Sequence, residues 1–197
     1  MAVFLDGVPA ISDEDDNATV QMCYESLFAY CYEKKIAIET TKINGNEVNI
    51  EELRKYFDVH LKDIESLEFF TMNQVDLFER FIKFGEQFIE EAEKLENIST
   101  LINAGHVSDA LAIVKDVSFT MHNLLRYHRY FALFDLPLQY PVGDSNILEY
   151  KDKINPLLSQ LLDAFQAKDT VEFSDLAEYE LAPIIRELGE GLEELTN

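Results

Sequence analysis

Three residues whose types and spacing suit an anion stand together at His122, Arg126 and Arg129, four and three positions apart. On a helix that spacing stacks them along one edge. Guanidinium groups with an imidazole beside them offer paired N–H donors to a carboxylate or a phosphate. Such a row could receive that group from a small ligand or from a partner chain. It could equally be structural, each cation paired with an acid on a neighbouring helix, for which Glu178, Glu180 and Glu187 are at hand. A second patch follows at Leu136-Pro137-Leu138-Gln139-Tyr140-Pro141-Val142-Gly143, a stiff and unusually apolar loop. Either it folds over one end of a helical bundle, or it presents Leu138, Tyr140 and Val142 to a partner, as connecting loops often do.

Other chemistries lack their residues. A dinuclear carboxylate bundle needs Glu-x-x-His on facing helices, and no histidine here has a Glu three positions before it. Zinc ligands at usable spacings are missing. Asp13, Asp15 and Asn17 alternate as in a calcium loop, but that loop needs Gly at its sixth position and Glu at its twelfth, where this chain has Ala18 and Tyr24. No Gly-x-Ser-x-Gly elbow and no Gly-rich phosphate loop is present. The reading therefore assigns no catalytic residue, no metal and no cofactor.

Charge narrows the partners. Sixteen basic residues face 38 acidic ones, for a net charge of −22. Such a chain repels phosphate backbones and anionic lipid, so neither nucleic acid nor membrane is expected. No apolar run approaches the ~20 residues that span a bilayer, and the opening Met-Ala-Val-Phe-Leu-Asp-Gly-Val lacks the basic and apolar regions of a signal peptide. Cys23 and Cys31 lie eight apart on one expected helix, about 12 Å along its axis, too far for a disulfide. Buried, reduced thiols sharing a face with Val20, Leu27 and Phe28 point to a cytoplasmic protein.

The elements that would position these residues follow from periodicity. A small α+β module of two or three strands and two helices is expected over 1–72. Its first strand, through Val3 and Leu5, ends at Asp6-Gly7 and Pro9. Asp16 or Asn17 then caps a helix over 18–34 that turns Val20, Cys23, Tyr24, Leu27, Phe28 and Cys31 inward. A strand from Ile36 to Ile43 stops at the turn pair Asn44-Gly45. Asn49 and Glu52 form a capping box for a helix that buries Leu53, Tyr56 and Phe57, and a last strand runs near Ile64 to Thr71.

From Asn73 the period changes to that of a helix. An antiparallel four-helix bundle is expected over 73–197, with helices near 73–96, 107–134, 145–167 and 170–195. The first is capped by Asn73 and carries Phe78, Phe81, Gly85, Phe88, Ala92 and Leu95 on its inner stripe. Gly85 costs about 1 kcal/mol of helix propensity relative to Ala, so the close approach of another helix or a ring is expected there. The second helix lines its seam with Val107, Leu111, Val114, Ser118, Met121, Leu125 and His128, widened by Ala110, Val117, Leu124 and Phe131. Ser145 or Asp144 caps the third. Pro156 and Pro183 sit inside the periodic runs of the last two helices and would kink both at one level; alternatively, Asn155-Pro156 starts a new helix. The chain is thus mainly α, and its expected function is that of a non-catalytic cytoplasmic adaptor or regulatory module whose partner is another protein or a second copy of itself. The alternative is a small-molecule binding protein or enzyme holding an anion on His122, Arg126 and Arg129.

Overall fold

The computed structural model describes residues 2–11 and 17–195. The chain divides into two compact units, Met1–Asp76 and Leu77–Asn197. It is mostly helical, with a sheet near its N-terminus. Asp13, Asp15 and Asp16, weighed above as calcium ligands or a helix cap, lie outside the described residues.

The first unit has more strands than expected. Strands β1 (Ala2–Leu5), β2 (Val8–Ile11), β3 (Ala37–Ile43), β4 (Asn46–Val48) and β5 (Ser66–Met72) form one sheet in the order β2-β1-β5-β3-β4. Five strands replace the two or three that were expected, because β2 and β4 are short return arms of hairpins. Both turns have positive φ at both central residues, 51° and 77° at Asp6-Gly7 and 50° and 78° at Asn44-Gly45. That backbone matches the twist of the strands it joins. Pro9 did not end the strand pattern, since β2 is an edge strand, where a missing N–H does not interrupt a ladder. The first residue of each turn is also tied to β5 or its approach. The Asp6 carboxylate accepts from the Thr71 N–H at 2.7 Å and the Thr71 hydroxyl at 2.6 Å. The Asn44 side-chain oxygen accepts from the N–H groups of Glu65 and Ser66 at 2.8 and 3.1 Å.

Helix α1 (Val20–Glu33) packs Val20, Cys23 and Leu27 into one core with Val3, Leu67 and Phe69 of the sheet. Its cap is Thr19, whose hydroxyl accepts from the Met22 N–H, and not Asn17. Both cysteines are free and buried, and burial pushes the Cys23 thiol up to about 11. The inward arc is narrower than expected. Phe28 is 50 % exposed and stacks on Tyr24 and Tyr32 instead of entering the core. The capping box forms as read: the Asn49 side chain accepts from the Glu52 N–H, and the Glu52 carboxylate accepts from the Asn49 N–H. Its helix α2 (Ile50–Arg54) is short and buries Leu53, while Tyr56 just beyond it is exposed.

Helix α3 (Gln74–Leu95) starts at Asn73, whose side chain accepts from the N–H groups of Val75 and Asp76. Its buried stripe runs through Phe78, Phe81, Gly85, Phe88, Ala92 and Leu95. The expected turn after it contains a helix of its own, α4 (Ile98–Asn103). Helix α5 (Val107–His128) ends in a tighter 3₁₀ turn over Arg129–Ala132. A small hairpin, β6 (Pro141–Val142) and β7 (Ser145–Asn146), leads into α6 (Ile147–Ala167). Asn146, and not Ser145 or Asp144, caps α6, accepting from the N–H groups of Leu148 and Glu149.

Helix α6 passes through Pro156 without interruption, so Asn155-Pro156 does not begin a new helix. The last stretch is not one regular helix. It comprises α7 (Thr170–Asp175), a π-helical segment Leu176–Leu181 and α8 (Ala182–Glu193). The wide winding stands directly before Pro183, whose ring crowds the preceding turn and whose nitrogen cannot donate.

The expected close approach at Gly85 is between two helices. A Cβ built there would lie 2.7 Å from the Gly189 carbonyl of α8, and one on Gly189 would lie 2.9 Å from the Gly85 carbonyl. Two glycines thus let α3 and α8 meet backbone to backbone. The same pair of helices is joined by Arg186, whose Nε and Nη2 donate to the two Glu96 oxygens at 3.0 Å each.

Candidate interaction face on the central helix

Helix α5 has two opposite arcs. Ala110, Val114, Val117, Thr120, Met121, Leu124 and His128 are buried. Directly across the helix, at steps of three and four, come Lys115, Phe119, His122 and Arg126, followed by Arg129 in the next turn; all are exposed. The structure therefore brings His122, Arg126 and Arg129 together, on the outward arc and not along the edge of the buried stripe. Phe119, which the sequence reading passed over, is 68 % exposed in the middle of this arc.

Two of the three acids nominated to pair with the row are engaged elsewhere. Glu178 accepts from the Ser99 N–H at 2.7 Å, and Glu187 accepts from the Tyr150 hydroxyl at 2.8 Å. Among the described residues, no ion pair joins His122, Arg126 or Arg129 to a carboxylate. Arg129 only directs its Nε toward the Arg126 carbonyl, at 3.5 Å. The local sequence explains this: residues 117–134 contain no Asp or Glu, in a chain with 38 of them. That acid-free run is the signal that could have located the face, Phe119 included. Arg80 of α3 lies over the Tyr127 ring, 5.9 Å from its centroid, and adds a further cation beside α5.

The loop after α5 is held down by its own residues. The His128 Nε2–H donates to the Leu138 carbonyl at 2.9 Å. Burial lowers the His128 pKa, although that hydrogen bond raises it, so the ring is held neutral near pH 7. Tyr140 packs edge-on against Phe78 and Phe131, with ring centroids 5.7 and 5.8 Å away, and Val142 is fully buried. Of the three loop residues nominated for a partner, Tyr140 and Val142 are thus committed to packing, while Leu138 stays 46 % exposed.

On the buried arc lies a carboxyl group that sequence reasoning missed. Glu91 of α3 is 7 % exposed, and its Oε1 accepts from the Thr120 hydroxyl at 2.6 Å. Its Oε2 has no partner among the described residues. Burial pushes the Glu91 pKa up to about 7; Thr120 and Lys94 oppose the rise, and Asp116 and Glu90 add to it. Glu91 stands three residues after Phe88 and four before Leu95, so its place on the inner face was legible from spacing. Its geometry is that of a polar tie between α3 and α5.

One cavity among the described residues does not involve the cationic row. An apolar cavity of about 460 Å³ is lined by Val107, Ala164, Phe165, Lys168 and Phe173 among others, and by none of His122, Arg126 or Arg129. Among the described residues, no group of three or more His, Cys, Asp or Glu side chains could hold a metal ion, and no helix is long and apolar enough to cross a membrane.

Residues 77–191 match the family described as a domain of unknown function, DUF8042, and residues 1–73 match the family described as the TP0873 N-terminal domain. A protein of Treponema pallidum (strain Nichols), described as uncharacterized, is 27 % identical over 167 residues, covering 85 % of this chain and 84 % of its own. No solved structure matches.

Proposed function

The chain belongs to the DUF8042 family, and we propose that it is a non-catalytic cytoplasmic interaction module, an adaptor or regulatory protein that engages a protein partner through the outward face of α5. One observation carries this reading: an exposed row of His122, Arg126 and Arg129, without an ion pair among the described residues, in a chain of net charge −22. Leaving such cations unpaired forgoes local pairing with the surrounding acids, and a partner that supplies carboxylates gives them a use. The exposed Phe119 supports the reading, since arginine and aromatic residues are enriched where protein interfaces are tightest.

The small-molecule alternative uses the same row for a free carboxylate or phosphate. It is supported by the exposed guanidinium groups, but the cavity described above, the kind of concavity that small ligands favour, is lined by other residues. Exposed Leu138 keeps self-association as a further form of the interaction reading. In all of these the net charge disfavours nucleic acid and anionic membranes as partners. The buried, free thiols support a reducing compartment. The helical part is read as an antiparallel four-helix bundle of α3, α5, α6 and the α7–α8 stretch, bent at Pro156 and Pro183. The chain is read as two domains over 1–72 and 73–197.

The test is affinity capture from source-cell lysate with the wild-type protein and with Arg126→Ala/Arg129→Ala, both checked for native circular dichroism. A protein retained by the wild type and lost by the folded double variant supports the module and its face. Capture of nothing, together with a thermal shift from a carboxylate or phosphate compound that the double variant abolishes, replaces it with the small-ligand reading.

A further inference from the structure

We infer that the partner seated on α5 is an acidic segment with an apolar anchor, its anchor on Phe119 and its carboxylates on Lys115, His122, Arg126 and Arg129. The inference rests on the interaction reading above and deepens it by naming the chemistry of the partner.

The arc has the layout of a linear recognition surface. From Lys115 to Arg129 it spans fifteen residues, a rise of about 21 Å at ~1.5 Å per residue step. Phe119 lies one turn beyond Lys115 and one turn before His122, so an apolar contact there has cationic groups on both sides. An exposed ring of this size gains from being covered, and ion pairs at its rim set orientation and association rate more than affinity. Arg126 and Arg129 prefer carboxylates for a geometric reason, since their planar forks take both oxygens at once.

Complementarity follows this arc. Outside residues 115–129, the segment 77–197 carries 21 Asp and Glu against 7 Lys and Arg, a net −14. A flat anionic bilayer or a nucleic-acid duplex would have to approach that wider acidic surface as well as the arc, and would be repelled at distances below a Debye length. A single extended or helical acidic segment touches only the cations and the ring. The acid-free run 117–134 keeps its like charges at a distance.

The test is selection from a displayed library of random peptides about 15 residues long, the helix length that matches ~21 Å, against the full chain. Selected peptides are expected to be net acidic with a central Phe, Leu or Ile. Their binding, read by fluorescence anisotropy, should weaken about tenfold in Phe119→Ala and fall as salt rises from about 0.05 to about 0.5 M. Selection against Arg126→Glu/Arg129→Glu should instead return basic peptides, a reversal that a merely structural role would not give.

Neutral or basic peptides from the wild type, acidic peptides indifferent to Phe119 and the arginines, or no enrichment at all would overturn the inference. So would binding to vesicles rich in phosphatidylserine, or to duplex DNA, in place of peptides. These failures remain separate from failure of the interaction reading, because lysate capture can still retain a partner sensitive to Arg126→Ala/Arg129→Ala whose contacting segment is not acidic.

Discussion

Glu91 shows how one side chain sets a pH dependence. Its pKa is pushed up to about 7 in the fold from an ordinary 4.5. Between those values the folded protein holds a proton that the unfolded chain has released. Stability from this group is therefore fully present below about 4.5 and is lost as pH rises toward 7, an upper bound of about 3 kcal/mol. Glu91→Gln keeps the Thr120 hydrogen bond without the titration. It is expected to raise stability at pH 8 and to flatten the decline between pH 5 and 7 in urea melts; an unchanged slope would show that another group carries it. His128 acts in the opposite sense. Its pKa is lowered by burial, so its contribution is present at neutral pH and diminishes as pH falls below its ordinary value of about 6.5. At Arg126 and Arg129 the absence of ion pairs among the described residues makes a different forecast. Changing both to Ala should leave stability within about 0.5 kcal/mol, whereas a larger loss would mean that the pairs read from sequence do form.

Among the elements, the meeting of α3 with α8 is the most sensitive to a single methyl group. Gly189→Ala places its Cβ 2.9 Å from both the Gly85 carbonyl and the Ile89 side chain. Overpacking of that kind costs typically about 1–3 kcal/mol, against a gain in helix propensity of at most about 1 kcal/mol. A lower Tm is expected, and a higher one would show that the helices can separate freely. At the start of α2 the reciprocal bonds of Asn49 and Glu52 predict a loss of about 1 kcal/mol in Asn49→Ala, readable as a shift in chemical denaturation. Several elements were legible for local reasons. Asn73 and the Asn49 box involve groups within three residues of each other, and Asn44-Gly45 fixes its turn through its own φ angles. Others were not. Strand β2 contains Pro9, and its Val8, Pro9 and Ala10 are exposed, so its pattern resembles loop. The caps Thr19 and Asn146 each follow, within two positions, a residue of comparable or better capping preference (Asn17 and Ser145), and the choice depends on where the chain enters the helix.

Taken whole, the molecule divides at Asp76 and Leu77, close to the change of hydrophobic period at Asn73. Segments 1–76 and 77–197 produced separately are expected each to melt cooperatively by circular dichroism, and an unfolded segment would show that its unit depends on the other. The amino-acid sequence by itself determined the helical phase of α3 and α5, the turns, the need for a close approach at Gly85 and the net charge of −22, because these depend on residue type and on neighbours within a turn or two. Tertiary structure alone decided that β1 pairs with β5, that Gly85 meets Gly189, and that the nominated acids Glu178 and Glu187 bond to Ser99 and Tyr150 and leave His122, Arg126 and Arg129 facing outward. The reason is physical: hydrogen bonds and charges pair by distance in space, and in this chain the partners are separated by tens of residues that spacing alone cannot bring into contact.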